Sequence, residues 1–176
     1  MLIYLIGFMG CGKSTHGKAL AKHLGFDFID MDEALQQSVS KPMADLFNEP
    51  DGEAAFRKSE SEWIDKNSML LTNTVIATGG GAPCFSDNMQ VMNKTGITVY
   101  LQLHPGSLFH RLASVKEKRP LIAKLTDTEL MDFIHTKLLE REHFYRQAHL
   151  IIKGESLNVK SLADEIKSHP LFTDKK

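Results

Sequence analysis

Cysteine is scarce in this chain, and the two present, Cys11 and Cys84, have no partner spacing that suggests a metal site or a disulfide framework. The eight histidines include no i,i+4 pair and none neighbours a cysteine, so the zinc-binding patterns are excluded. Neither sign of charge dominates: 21 basic against 22 acidic residues give a net charge of -1, which argues against nucleic acid or an anionic membrane as partner. The one compact basic run, Lys116 to Arg119, is too short to be an electrostatic footprint by itself. Long hydrophobic runs are missing too. The apolar stretch 2–6 is short, lacks a basic flank and meets Gly7 at once, so it reads neither as a signal peptide nor as a membrane span, and the expected location is the cytoplasm. No repeat, low-complexity tract or long linker divides the chain, and 176 residues suit one domain spanning 1–176.

What is present is the composition of a soluble globular protein, 42% apolar and 24% charged. Short apolar runs at 2–6, 26–29, 75–78, 98–103 and 150–153 read as strands. Helical patterns occupy 13–24, 31–39, 42–47, 52–67, 86–93, 105–113, 127–148 and 159–168. Pro42 and Pro105 suit first helical positions, Thr126 with Glu129 makes a capping box, and Gly25 and Gly96 are natural helix stops. Strands alternating with helices predict an α/β fold with parallel pairing and right-handed crossovers. Ligands in such sheets bind beyond the carboxyl ends of the strands, so the residues following each strand matter most.

After the first strand comes Gly7-Phe8-Met9-Gly10-Cys11-Gly12-Lys13-Ser14-Thr15, which satisfies G-x-x-x-x-G-K-[ST] between a strand and a helix. The glycines let backbone N–H groups of a P-loop turn inward around phosphate, and the helix adds its positive N-terminal end. Gly10, Cys11, Gly12, Lys13, Ser14 and Thr15 form this cradle, with Lys13 reaching the β- and γ-phosphates and the Ser14 hydroxyl a ligand for Mg²⁺. Cys11 reads as a small loop filler, the alternative being a reactive thiol near a helix N-terminus. The third strand ends in Thr78 and Gly79-Gly80-Gly81 without an acid, whereas the second ends in Asp30-Met31-Asp32. Asp30 is therefore assigned to the Mg²⁺ side and Asp32 to an acceptor hydroxyl, although either alone could be a helix N-cap. A GTPase reading fails, because Gly96 stands where the guanine-reading N-K-x-D needs its Asp.

Two helices carry charge where their periodicity predicts burial. Arg141 falls on the stripe of Leu130, Ile134, Leu138 and Tyr145, and an unpaired inward guanidinium needs an anion. Glu60 falls between Phe56 and Trp63, with Arg57 three residues before it as its expected neighbour. For Arg57 and Arg141 a structural ion pair and a clamp on a substrate carboxylate are equally open readings.

Taken in order, these elements resemble the shikimate kinase family from end to end. The resemblance rests on 7–15, Asp30-Met31-Asp32, Ala44 to Phe47 leading into Gly52-Glu53 and Phe56-Arg57, Thr78 to Ala82, Lys118 to Ile122, and Arg141 before Tyr145. It implies a three-layer P-loop NTPase fold: a five-stranded parallel sheet flanked by helices, as in nucleoside monophosphate kinases, with a mobile lid. The single kinase domain would carry an acceptor-binding segment over about 31–62 and its lid over about 114–125. The implied reaction is transfer of the ATP γ-phosphoryl group to the 3-hydroxyl of shikimate, in a monomer needing Mg²⁺ and no nucleic acid or membrane. The resemblance gives Arg57 and Arg141 the shikimate carboxylate, Asp32 the ring hydroxyls, and the backbone of Gly79, Gly80 and Gly81 the pocket lining. It sets Arg119 in the lid over the transferring phosphate, making Lys13, Asp32 and Arg119 the catalytic set, and lays Arg111 against adenine. After the last strand, Lys153-Gly154-Glu155-Ser156 lacks an arginine that some members show near the nucleotide.

Overall fold

In the computed structural model, which describes residues 1–38, 51–119 and 121–172, five strands form one fully parallel sheet. They are β1 (Leu2–Ile6), β2 (Asp27–Asp30), β3 (Thr74–Ala77), β4 (Ile97–Gln102) and β5 (Leu150–Lys153), in the order β2-β3-β1-β4-β5. Between them run α1 (Lys13–Leu24), α2 (Met31–Ser38), α3 (Gly52–Leu70), α4 (Asn88–Thr95), α5 (Pro105–Ala113), α6 (Asp127–Tyr145) and α7 (Val159–Ser168).

The central strand shows why three layers form. All five residues of β1 are buried, and alternate side chains of a strand point to opposite faces. Ile3 and Leu5 join Leu20 of α1, Leu112 of α5, Leu130 and Ile134 of α6, and Leu162 and Ile166 of α7 in one cluster. Leu2, Tyr4 and Ile6 join Met31 of α2, Phe56 and Ile64 of α3, Met89 and Met92 of α4, and Tyr145 of α6 in the other. Burying an aliphatic or aromatic side chain of this size contributes about 1.5–3 kcal/mol, so a strand clad on both faces anchors the domain. Helix α6 contributes to both clusters, Leu130 and Ile134 to one and Tyr145 to the other, so it passes from one side of the sheet to the other. That path decides where Arg141 sits.

Several expected boundaries shift by one to three residues. Strand β2 extends to Asp30 instead of stopping at Ile29, and β3 ends at Ala77, one residue before Thr78, whose N–H (3.1 Å) makes the last ladder bond to the Leu5 carbonyl and whose hydroxyl (3.2 Å) meets the same oxygen. Helix α4 begins at Asn88 and not at Ser86, whose φ of 52° lies outside helical space. Helix α3 runs on to Leu70, and α6 stops at Tyr145, short of Ala148. Gly25 closes α1 in the left-handed conformation, with φ 69°. Gly96 does not: its φ is -167°, and glycine is needed there because a Cβ would lie 2.5 Å from the Leu2 carbonyl oxygen. The capping box of Thr126 and Glu129 forms with both its bonds, and Pro105 opens α5 behind His104. The helix expected over 42–47, with Pro42 at its start, lies outside the described residues.

Candidate active site

The loop from Gly7 to Gly12 joins β1 to α1 at the carboxyl edge of the sheet, beside the position where strand order reverses. Gly7, Gly10 and Gly12 all have positive φ, the geometry that turns successive N–H groups toward one point. Lys13 is nearly buried and its ammonium folds back over the loop, donating to the carbonyls of Gly7 (2.8 Å) and Phe8 (3.1 Å). Cys11 is fully buried with its Sγ 3.8 Å from that ammonium, which fits the loop-filler reading. From α5, Arg111 Nη1 donates to the carbonyls of Gly10 (3.4 Å) and Cys11 (3.3 Å), so its guanidinium lies on the rim of the cradle.

The two acids divide the work between them. Asp30 accepts the Ser14 hydroxyl on Oδ2 at 2.6 Å and the Asp32 N–H on Oδ1 at 3.1 Å, so it caps α2 and meets the phosphate loop with one carboxylate. The helix-cap alternative is thus correct for Asp30 without displacing its position next to Ser14. The Asp32 carboxylate is left to the crevice. Crowding by the surrounding protein pushes its pKa up, and the Asp30 charge adds to that, while Lys13, Arg57 and Arg119 pull it back. Charges from α1, α3 and the segment after α5 thus act together on one carboxylate. Asp32 shares a cavity of about 380 Å³ with Lys13, Ser14, Asp30, Gly80 and Arg119. Around Arg119 the segment after α5 is fastened to the core by Ile122, which is fully buried.

On the opposite wall, α3 presents Arg57 and Glu60 one turn apart. Arg57 Nη1 meets Glu60 Oε2 at 2.6 Å, and Nη2 lies 3.5 Å from Glu53 Oε1. Glu60 is fully buried, and its Oε1 has no hydrogen-bond partner among the described residues. Burial pushes its pKa up to about 7, with Asp32 adding to the shift and Arg57 opposing it. Desolvation outweighs the ion pair here because only one of the two carboxylate oxygens is satisfied.

The loop after β3 is wedged between these walls. At Gly79 a Cβ would collide with Glu60 Oε1 and come 3.0 Å from Asp32 Oδ1, and at Gly81 it would sit 2.5 Å from Arg57 Cζ. At Gly80 it would be 3.2 Å from the Met9 nitrogen and 3.7 Å from Arg141 Nη1. The three glycines therefore bring backbone against the phosphate loop, the α3 ion pair and α6 at once. Arg141 differs from Arg57 in having no carboxylate partner among the described residues. It lies half-buried over the Phe8 ring, 5.7 Å from its centroid. A guanidinium held in this way can pair with an external carboxylate, whereas Arg57 is pre-oriented by Glu60.

Of the residues that sequence reasoning brought together, Lys13, Ser14, Asp30, Asp32, Gly80 and Arg119 line one cavity, Arg57, Gly81 and Arg141 line a second, and Gly79 lies against Glu60 and Asp32. Sequence reasoning missed Tyr145 as more than a packing residue. The Tyr145 hydroxyl donates to the Gly80 carbonyl at 2.5 Å, and its ring is tilted against Tyr100 with centroids 5.0 Å apart. It also missed Glu142, which accepts from the Tyr100 hydroxyl at 2.7 Å and from Gln102 Nε2 at 3.1 Å. The only signal in the sequence was the spacing of Tyr145 four residues after Arg141.

Comparison with known proteins agrees with this geometry. The family model described as shikimate kinase matches residues 9–169. A shikimate kinase of Bacteroides thetaiotaomicron is 46% identical over 155 residues, covering 88% of this chain and 87% of that protein. The crystal structure of shikimate kinase from Bacteroides thetaiotaomicron superposes with a TM-score of 0.86 at 43% identity, covering 95% of this chain and 96% of the other. A shikimate kinase from Acinetobacter baumannii, solved in complex with shikimate, gives a TM-score of 0.82 at 30% identity, covering 94% of this chain and 89% of that one. Agreement of this extent, in sequence and in backbone together, leaves one assignment: the chain belongs to the shikimate kinase family.

Proposed function

We propose that the chain transfers the γ-phosphoryl group of ATP to the 3-hydroxyl of shikimate, with Lys13, Asp32 and Arg119 as its catalytic residues. The observation that carries the residue assignment is the position of Gly80, which shares one wall with the phosphate loop at Met9 and with Arg141. A phosphate held by the loop and a carboxylate held by Arg57 and Arg141 would then lie on either side of Asp32. The acceptor hydroxyl, hydrogen-bonded to Asp32, faces the γ-phosphoryl group in line with its leaving oxygen. Such transfers ask little covalent chemistry of the protein, so positioning and charge stabilisation dominate. Lys13 exchanges its loop carbonyls for phosphate oxygens, and Arg119 brings a second cation over the transferring group. Asp32 orients the hydroxyl and accepts its proton as the new bond forms. Arg111, already at the rim of the cradle, stacks on adenine.

A divalent cation fits beside Ser14 and Asp30. Ser14 Oγ and Asp30 Oδ2 are hard oxygen donors 2.6 Å apart at the mouth of the loop. Among the described residues no group of three or more His, Cys, Asp or Glu could hold a metal alone. Mg²⁺ suits such a sparse protein contribution, because it takes most of its ligands from water and substrate phosphates. When bound, it would neutralise charge across the β- and γ-phosphates. Residues 1–176 would work as one domain and as a monomer, in the cytoplasm. A net charge of -1 supports a reading without nucleic acid as partner, and no helix among the described residues is long and apolar enough to cross a membrane.

The deciding experiment measures ADP release from Mg²⁺-ATP with shikimate, quinate, gluconate or no acceptor. Release that depends on shikimate is expected. Release with another acceptor and not with shikimate would overturn the substrate, and loss of activity on omitting Mg²⁺ tests the cation.

A further inference from the structure

We infer that Tyr145 is a positioning residue for the acceptor: its hydroxyl fixes Gly80 and Arg141 relative to one another and to the phosphate loop. This rests on the reading that Arg141 and the glycines 79–81 hold the acceptor. The phenol is fully buried, and its hydroxyl donates to the Gly80 carbonyl at 2.5 Å across 65 residues of sequence. Arg141 lies one turn earlier on α6, near enough for its charge to act on this phenol. One hydroxyl thus ties a backbone carbonyl of the loop after β3 to α6, the helix that carries Arg141.

A tyrosine needed only for volume would bury a hydroxyl for nothing, since an unbonded buried hydroxyl is costly. Here the hydroxyl satisfies a carbonyl that has already left the β3 ladder. Burial also holds the phenol protonated, so it remains a donor over the working pH range. The ring itself has little freedom, because the Tyr100 ring packs against it with centroids 5.0 Å apart. What this fixes is the residue closest to both halves of the site. A Cβ at Gly80 would lie 3.2 Å from the Met9 nitrogen and 3.7 Å from Arg141 Nη1. A displacement of Gly80 therefore changes the distance between the carboxylate clamp and the donor loop.

The test is Tyr145→Phe, which removes one oxygen and keeps the ring, so the core stays filled. With the Gly80 carbonyl deprived of its partner and no longer tied to α6, KM for shikimate is expected to rise about tenfold while KM for ATP stays within about twofold. A merely structural tyrosine would lower the melting temperature without that split. Tyr100→Phe serves as the second variant. It removes a buried hydroxyl from the same aromatic pair but leaves the bond to Gly80, and its shikimate KM is expected to stay at the wild-type value. An unchanged shikimate KM in Tyr145→Phe, an equal rise in both KM values, or the same rise in Tyr100→Phe would each overturn the inference. Arg141→Ala separates the two levels. If it leaves shikimate KM unchanged, the clamp reading fails; if it raises that KM while Tyr145→Phe does not, only the positioning role fails.

Discussion

Replacing Gly79 with alanine tests how tightly the acceptor wall is built. The added methyl group would collide with Glu60 Oε1 and approach Asp32 Oδ1 to 3.0 Å. The Asp32 carboxylate is exposed and can swing aside, but Glu60 cannot yield cheaply, being fully buried and tied to Arg57 at 2.6 Å. Overpacking a rigid site typically costs about 1–3 kcal/mol. In a domain of this size about 2 kcal/mol lowers the melting temperature by roughly 4–8 °C. Pushing Glu60 away also turns Arg57, so the shikimate KM should rise together with the loss of stability. Gly106→Ala is the control, because its Cβ meets nothing closer than His104 Nδ1 at 3.4 Å and α5 gains a better helix former. Thermal melts and acceptor titrations of the two variants read out both effects. A Gly79→Ala protein with wild-type melting temperature and shikimate KM would refute the claim that Glu60 is locked against this glycine.

Arg119→Ala is expected to lose about 10³–10⁵ in kcat, the usual worth of a transition-state arginine, with little change in ATP affinity; near-normal turnover would remove Arg119 from the catalytic set. Glu60 makes a pH prediction. Its folded pKa of about 7 lies above the ordinary 4.5, so between those values the folded protein keeps a proton that the unfolded chain has released. Its contribution to stability is full below about 4.5 and is lost as pH rises through 7. The wild type should therefore lose stability relative to Glu60→Gln between pH 5 and pH 7.5 in urea titrations, and an equal difference at both pH values would contradict the burial argument. Thr126→Ala removes the side-chain cap of α6 and should cost about 1 kcal/mol with unchanged KM values, measurable by urea denaturation; a raised shikimate KM would mean that the start of α6 bears on the site.

The P-loop, the acid pair and the Arg57–Glu60 pair were legible in the sequence because each is a local feature. A strand, six loop residues and a helix N-terminus are contiguous, and residues three apart on a helix are neighbours wherever that helix packs. Strand and helix order followed from hydrophobic runs and from glycine and proline punctuation. One boundary that moved did so for a reason outside the local pattern: Ser86 took a positive φ, which delays the start of α4 to Asn88.

The tertiary structure alone decided which residues meet across the crevice. The strand order β2-β3-β1-β4-β5 puts the loop after β3 beside the phosphate loop after β1. The passage of α6 across the sheet edge then brings Arg141 and Tyr145 to Gly80. Arg111 reaches the carbonyls of Gly10 and Cys11 across about a hundred residues, and Glu60 is pressed against Gly79 by the packing of α3. Composition and periodicity carry no trace of such contacts. They state which face of an element is buried, whereas the partner on the far side of that face is set by chain topology and by the space that the neighbouring layers leave.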